Sequence, residues 1–93
     1  MFDRMLARMR ERVRRRQYVM TLHAEEEMND DALTVFDVER GMLTGRIVER
    51  QKDRETGEWK YLVKGETVAG EGVVLATKLS ATGKLVIITV YVL

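Results

Sequence analysis

His23 is the only histidine in the chain, and Glu26 and Glu27 follow it by three and four residues. On a helix these positions share a face. An imidazole titrates near neutral pH, and a neighbouring carboxylate can set its tautomer, which suits general acid–base work. Two other readings compete. As a metal site, His23 and Glu27 supply two ligands where zinc takes three or four protein donors. As plain structure, His23 is a helix-start residue hydrogen-bonded to backbone or to the acidic cluster, the commonest role for such a residue.

A second chemical feature is cationic. Arg46, Arg50, Lys60, Lys64 and Lys78 fall on expected strands, and Lys60 and Lys64 share one strand face by the period of two. If Arg50 and Lys78 lie on neighbouring strands of that face, the sheet presents a basic surface; otherwise these are ordinary solvated side chains. RNA cleavage by the 2′-hydroxyl needs a proton acceptor, a proton donor and cations around the phosphate, with no metal and no cofactor. His23, Glu49, Tyr91 and the Lys/Arg set are the right types. Other chemistries are excluded. There is no cysteine, which removes thiol catalysis and cysteine zinc sites. Ser80 is the only serine and sits beside a turn. Gly70-Glu71-Gly72 and Gly83-Lys84 fail the dinucleotide and phosphate-loop spacings.

These groups need elements to hold them. Phe2, Met5, Leu6, Met9 and Val13 recur at helical spacing, which predicts a basic amphipathic helix within residues 1–16. Thr21 is placed to cap a second helix, Leu22 to about Asn29. Thr34 and Asp37 form a capping box for a third, ending near Leu43 before Gly45. Residues 46–92 then read as four strands, Arg46–Gln51, Trp59–Lys64, Val73–Leu79 and Lys84–Val92, joined by glycine-bearing turns. The last strand is apolar on both faces, so an uncovered edge there would invite aggregation. The Tyr18–Met20 segment, another protomer in a homo-oligomer, or a partner protein must cover it. The fold class is α+β, with N-terminal helices packed on one face of a four-stranded antiparallel sheet, in one domain over residues 1–93.

The chain has 93 residues and a net charge of +1, but the charge is segregated. Residues 1–16 hold seven Arg against two acids, and residues 25–39 hold seven acids and no base. The plain expectation is that these segments pack side by side and attract each other. The alternative is that each marks a separate partner surface, the Arg run for phosphate backbone and the acidic run for a basic partner. Charged residues interrupt Met1 to Val13, so no secretory leader is expected, and no apolar run suits a membrane span. The expected compartment is the cytoplasm.

Several segments together resemble a known family. Thr21-Leu22-His23-Ala24, Glu27-Met28, Leu33-Thr34 with Asp37-Val38-Glu39, Leu43-Thr44-Gly45-Arg46-Ile47-Val48-Glu49, and Val86-Ile87-Ile88-Thr89-Val90-Tyr91 form one pattern. It resembles the small bacterial domains catalogued as domain of unknown function 4258, over about Tyr18 to Tyr91. That family is similar to the RelE/BrnT-like toxins of type II toxin–antitoxin systems. The resemblance implies a small α+β domain that cleaves RNA, alone or on the ribosome, and is neutralised by an antitoxin, here of a small zinc-finger type. His23 falls on the family's motif histidine and Tyr91 on its terminal tyrosine, without chemistry assigned to either. The expectation is a metal-independent ribonuclease toxin. His23 is its acid or base, Tyr91 a proton donor, and Arg50, Lys60, Lys64 and Lys78 the phosphate contacts. The rival is a non-catalytic protein-binding module or structural oligomer.

Overall fold

A computed structural model describes residues 2–93, so Met1, the first residue of the expected basic helix, lies outside the described residues. The chain runs α1 (Asp3–Arg14), β1 (Tyr18–Met20), α2 (Leu22–Asp30), α3 (Val35–Thr44), β2 (Arg46–Lys52), β3 (Trp59–Glu66), β4 (Gly72–Leu79) and β5 (Leu85–Val92). The α+β class and the helix-first order are as the sequence implies. The sheet is different: it has five strands in the order β1-β5-β4-β3-β2, and β1 pairs parallel with β5. The expected four-stranded antiparallel sheet therefore gains one short parallel strand. Its cause is the apolar outer edge of β5, and the Tyr18–Met20 segment is what covers it. A homo-oligomer through that edge finds no free strand to pair with along Leu85–Ile87.

The helices stop for identifiable reasons. After α1, the Gln17 N–H donates to the Arg12 carbonyl at 2.8 Å and the Arg16 N–H to that of Val13 at 3.0 Å, with Arg16 at φ +56°. After α2, Leu33 donates to Met28 and Ala32 to Asn29, with Ala32 at φ +55°. Both are Schellman ends, where glycine normally takes the left-handed position. Arg16 and Ala32 hold it at a cost of roughly 1–2 kcal/mol each. The α3 start is the expected capping box between Thr34 and Asp37. The backbone N–H of Thr34, above all, holds the Asp37 carboxyl below its usual range.

The core lies between the helices and one face of the sheet. Met9 and Val13 of α1, Ala24 and Met28 of α2, and Val38 and Met42 of α3 meet Tyr61, Val63, Val73, Leu75, Leu85, Ile87 and Val90. Thr77 is buried among them and donates to the Tyr61 carbonyl at 3.0 Å. Where α3 rests on β3, two glycines meet. A Cβ on Gly65 would fall on the Gly41 carbonyl oxygen. β3 runs through Gly65 and Glu66, two residues past its expected end, because both still pair with β4, at Val73 and Gly72.

Two β-bulges change which side chains share a face. The β2–β3 register steps from Ile47↔Val63 to Glu49↔Leu62, leaving Val48 extra. The β4–β5 register steps from Ala76↔Thr89 to Thr77↔Ile87, leaving Ile88 extra. One inserted residue reverses the alternation beyond it. Leu85, Ile87 and Val90 thus all point into the core, and Thr89 and Tyr91 turn to the open face. Strict alternation would have grouped Tyr91 with Leu85 and Ile87.

The basic helix α1 packs on α3, but not by pairing its charges with the acidic run. Arg10 of α1 donates through Nε to the Met42 carbonyl at 3.2 Å and through a terminal nitrogen to the Gly45 carbonyl, closing the end of α3. Arg12 Nε donates to the Gly83 carbonyl at 2.7 Å. Backbone carbonyls thus take the inward-facing arginines, while α2 lies along β5, and among the described residues no ion pair joins α1 to the acidic run.

Two outcomes follow. Gly65→Ala should lower unfolding stability by about 2 kcal/mol or more in urea denaturation, because the added methyl overlaps backbone that cannot step aside. Tyr18 donates its hydroxyl to Glu39 of α3 at 2.5 Å, and burial, then that carboxylate, push its pKa up to about 12 from an unfolded value of 10.0. A raised pKa contributes stability that is complete below the unfolded value and is lost as pH rises through the folded one. Stability should therefore fall between pH 10 and about 12. Tyr18→Phe should remove that part of the alkaline fall, read by denaturation at stepped pH.

Candidate functional site at the β5 edge

β1 covers only Leu85–Ile87, so the outer edge of β5 beyond Ile87 needs other partners. The Thr21 hydroxyl donates to the Ile88 carbonyl at 3.0 Å, on the bulged residue, and accepts from the Ala24 N–H at 3.1 Å as the α2 cap. Six residues further, Glu27 Oε1 accepts from the Val90 N–H at 3.1 Å. Both contacts replace missing sheet hydrogen bonds with side chains of the helix. They seat α2 against the edge, one residue short of Tyr91.

His23 completes this chain. Its Nε2 lies 3.2 Å from the same Glu27 Oε1 that binds Val90. The contact sets the imidazole beside the carboxylate through its Nε2 edge. The His23 side chain is 64% exposed while Glu27 is 24% exposed, so the carboxylate is anchored and the imidazole faces solvent. An exposed imidazole beside an anchored carboxylate is a side-chain pair of the type used in general acid–base chemistry.

The open face of the sheet, opposite the helices, carries the cations in two rows. Register places Arg46, Lys64, Val74 and Tyr91 side by side across β2, β3, β4 and β5. Arg46 and Lys64 are like charges directly opposite each other, a pairing that weakens a sheet. Among the described residues neither has an acidic partner within 4 Å. They line a depression of about 410 Å³ together with Thr44, Glu66 and three glycines. Lys60 and Lys78 come one step beyond the Tyr61↔Thr77 pair at the other end of the face, where Lys78 is 3.5 Å from Glu58. Glu49, opposite Leu62, lies between the two rows.

Arg50 does not join them. Beyond the Val48 bulge it lies opposite Tyr61, on the helix-covered side. Its guanidinium stacks on Trp59 at 4.0 Å from the ring centroid and reaches Phe2 at 5.7 Å. Arg46 takes the place expected of Arg50, and without the bulge both would share a face. Sequence reasoning also missed that Glu27 is the link between His23 and β5. Its spacing from His23 was legible, but its grip on the Val90 backbone has no sequence signal.

The fold and site define a small α+β domain whose second helix is seated on a sheet edge through Thr21 and Glu27, with His23 beside Glu27. The chain belongs to the family described as Domain of unknown function (DUF4258), whose model matches residues 20–92. No curated protein and no solved structure matches it. The matched span begins at Met20 and contains the Thr21–Glu27 segment, both bulges and Tyr91. Among the described residues no helix is long and apolar enough to cross a membrane.

Glu27→Ala should cost about 1–2 kcal/mol, because it strips the Val90 N–H of its partner. Glu26→Ala, on the exposed side, should stay within about 0.5 kcal/mol. Urea denaturation checks the difference, and faster hydrogen exchange at the Val90 amide identifies its source.

Proposed function

We propose that this domain is a RelE/BrnT-like toxin of a type II toxin–antitoxin system that binds RNA on its open sheet face and cleaves it without a metal. The observation that carries the reading is the chain from His23 through Glu27 to the Val90 backbone. It ties an imidazole to the strand edge at Val90, and the following residue, Tyr91, shares its row with Lys64 and Arg46.

In this reading His23 Nδ1 accepts the proton of a ribose 2′-hydroxyl while Nε2–H stays on Glu27. The 2′-oxygen attacks the phosphorus and the bond to the 5′-oxygen breaks. The leaving oxygen takes its proton from the Tyr91 phenol. The products are a 2′,3′-cyclic phosphate and a 5′-hydroxyl, so atoms and charge balance without a further reactant. Lys64 and Arg46 stabilise the charge gathering on the phosphoryl oxygens, the largest single contribution in such reactions. Lys60 and Lys78 hold flanking phosphates, while Arg50, on the other face, has no part. A neutralising antitoxin covers the open face.

The test is purified protein with mRNA, alone and with ribosomes. Wild type should produce cyclic-phosphate ends, and His23→Ala should cut about 10²- to 10⁴-fold more slowly. Equal inertness of the two proteins, with neither slowing growth on expression, would sink the enzymatic reading.

A further inference from the structure

The arginine run at the end of α1 is not used by the site above. Arg12, Arg15, Gln17, Thr82, Gly83 and Lys84 line a cleft of about 340 Å³ between the α1 C-terminus and the β4–β5 turn. Arg12 is pinned over that turn by its bond to the Gly83 carbonyl and lies 3.5 Å from the Gln17 side chain. Arg14, Arg15, Arg16 and Lys84 are exposed around it. One carboxylate answers them: Glu11 sits 2.7 Å from Arg15 and 3.8 Å from Arg14.

Cations at a helix C-terminus complement its dipole, which accounts for part of this set. It does not account for Lys84, which reaches the cleft from a different element 68 residues after Arg16. Nor does it account for Arg16. That residue occupies the left-handed position of a Schellman end, where glycine is the cheaper choice. A long cationic side chain is kept there at the expense of the backbone.

We propose that this cleft is a phosphate-binding subsite for single-stranded RNA. The proposal rests on the RNA reading above and deepens it: the cleft anchors the strand away from the point of cleavage. It lies at the Leu85 end of β5, and Tyr91 is six residues along, roughly 20 Å at the strand rise. An extended single strand of a few nucleotides covers that distance, within the span that sheet-based single-strand binders use. Arg12 and Gln17 form the preset floor. Arg15, Arg16 and Lys84 close on the phosphates, and Glu11 is the group the RNA must displace from Arg15.

The probe is a fluorescein-labelled 2′-O-methyl single-stranded oligoribonucleotide, which cannot be cut, titrated by anisotropy across a salt series. Removing two phosphate contacts by Arg15→Gln with Lys84→Gln should reduce the slope of log K against log salt by about 1.4, at roughly 0.7 per contact on a single strand. Lys52→Gln with Arg54→Gln makes the same change in net charge and should leave the slope unaltered. Arg16→Gly should raise the thermal midpoint and weaken binding, a pair of effects that a purely structural arginine would not give. Glu11→Gln should tighten binding more than Glu25→Gln. Equal slopes for the two double variants overturn the proposal, as does absence of binding at low salt. Salt-sensitive self-association abolished by Arg15→Gln with Lys84→Gln, without oligonucleotide binding, also overturns it, assigning the cleft to the acidic helix of a second copy. Cleavage is read from cyclic-phosphate ends and this subsite from the salt slope on an uncleavable strand, so loss of the cleavage reading and loss of this subsite are read separately.

Discussion

The outer edge of β5 must have its backbone groups satisfied, and most of the arrangement follows from how that is done. β5 is the most apolar strand of the chain and lies between β4 and that edge. Leu85 N–H donates to the Gln17 carbonyl and Thr21 N–H to the Ile87 carbonyl, which binds β1 as a parallel strand. The edge then outruns β1. Thr21 and Glu27 take over with side-chain atoms, so α2 is held by the strand's own hydrogen-bonding requirement. An unmet buried N–H or C=O costs about as much as a lost hydrogen bond, which makes these two contacts structural before they are anything else. The position of His23 is a consequence of them.

The remaining layers are tied by close approach and by arginine. Gly41 and Gly65 let α3 and β3 touch through backbone, which draws α3 down onto the sheet. Arg10 then closes the carbonyl end of α3, and Arg12 fastens the far end of α1 to the β4–β5 turn. The sheet's other edge, β2, is exposed, charged and bulged, a combination that resists pairing with another chain. One edge is covered and the other is made unattractive.

This packing decides which charges are left to meet solvent. Two arginines of the N-terminal run are consumed by backbone carbonyls, and Arg14, Arg15 and Arg16 are left exposed at the α1 C-terminus, on the side of Lys84. The acids of α2 face away on the opposite side of β5's edge contacts, apart from Glu27, which is turned inward. Near-neutral net charge thus coexists with separate cationic and anionic surfaces. Long-range attraction between the two segments is weaker than the directional demand of helix ends and strand edges for partners.

Much was legible in the order of residues. Helical spacing of Met9 and Val13, the Thr21 cap, the Thr34–Asp37 box and the turn glycines are local signals, and local hydrogen bonds decide them. So is the i,i+4 relation of His23 to Glu27, and so is the need to cover a strand apolar on both faces. The face on which each strand residue lands was not legible past Val48 and Ile88. A bulge depends on pairing between strands and leaves no fixed mark in either one. That is why Arg50 was expected beside Lys60 and Lys64 and instead stacks on Trp59, and why Tyr91 reaches the open face. The sequence by itself determined the three helices, four of the five strands and the spacing that pairs His23 with Glu27. Only the tertiary structure decided what stands next to that pair, because register and edge pairing are settled between segments distant in the chain.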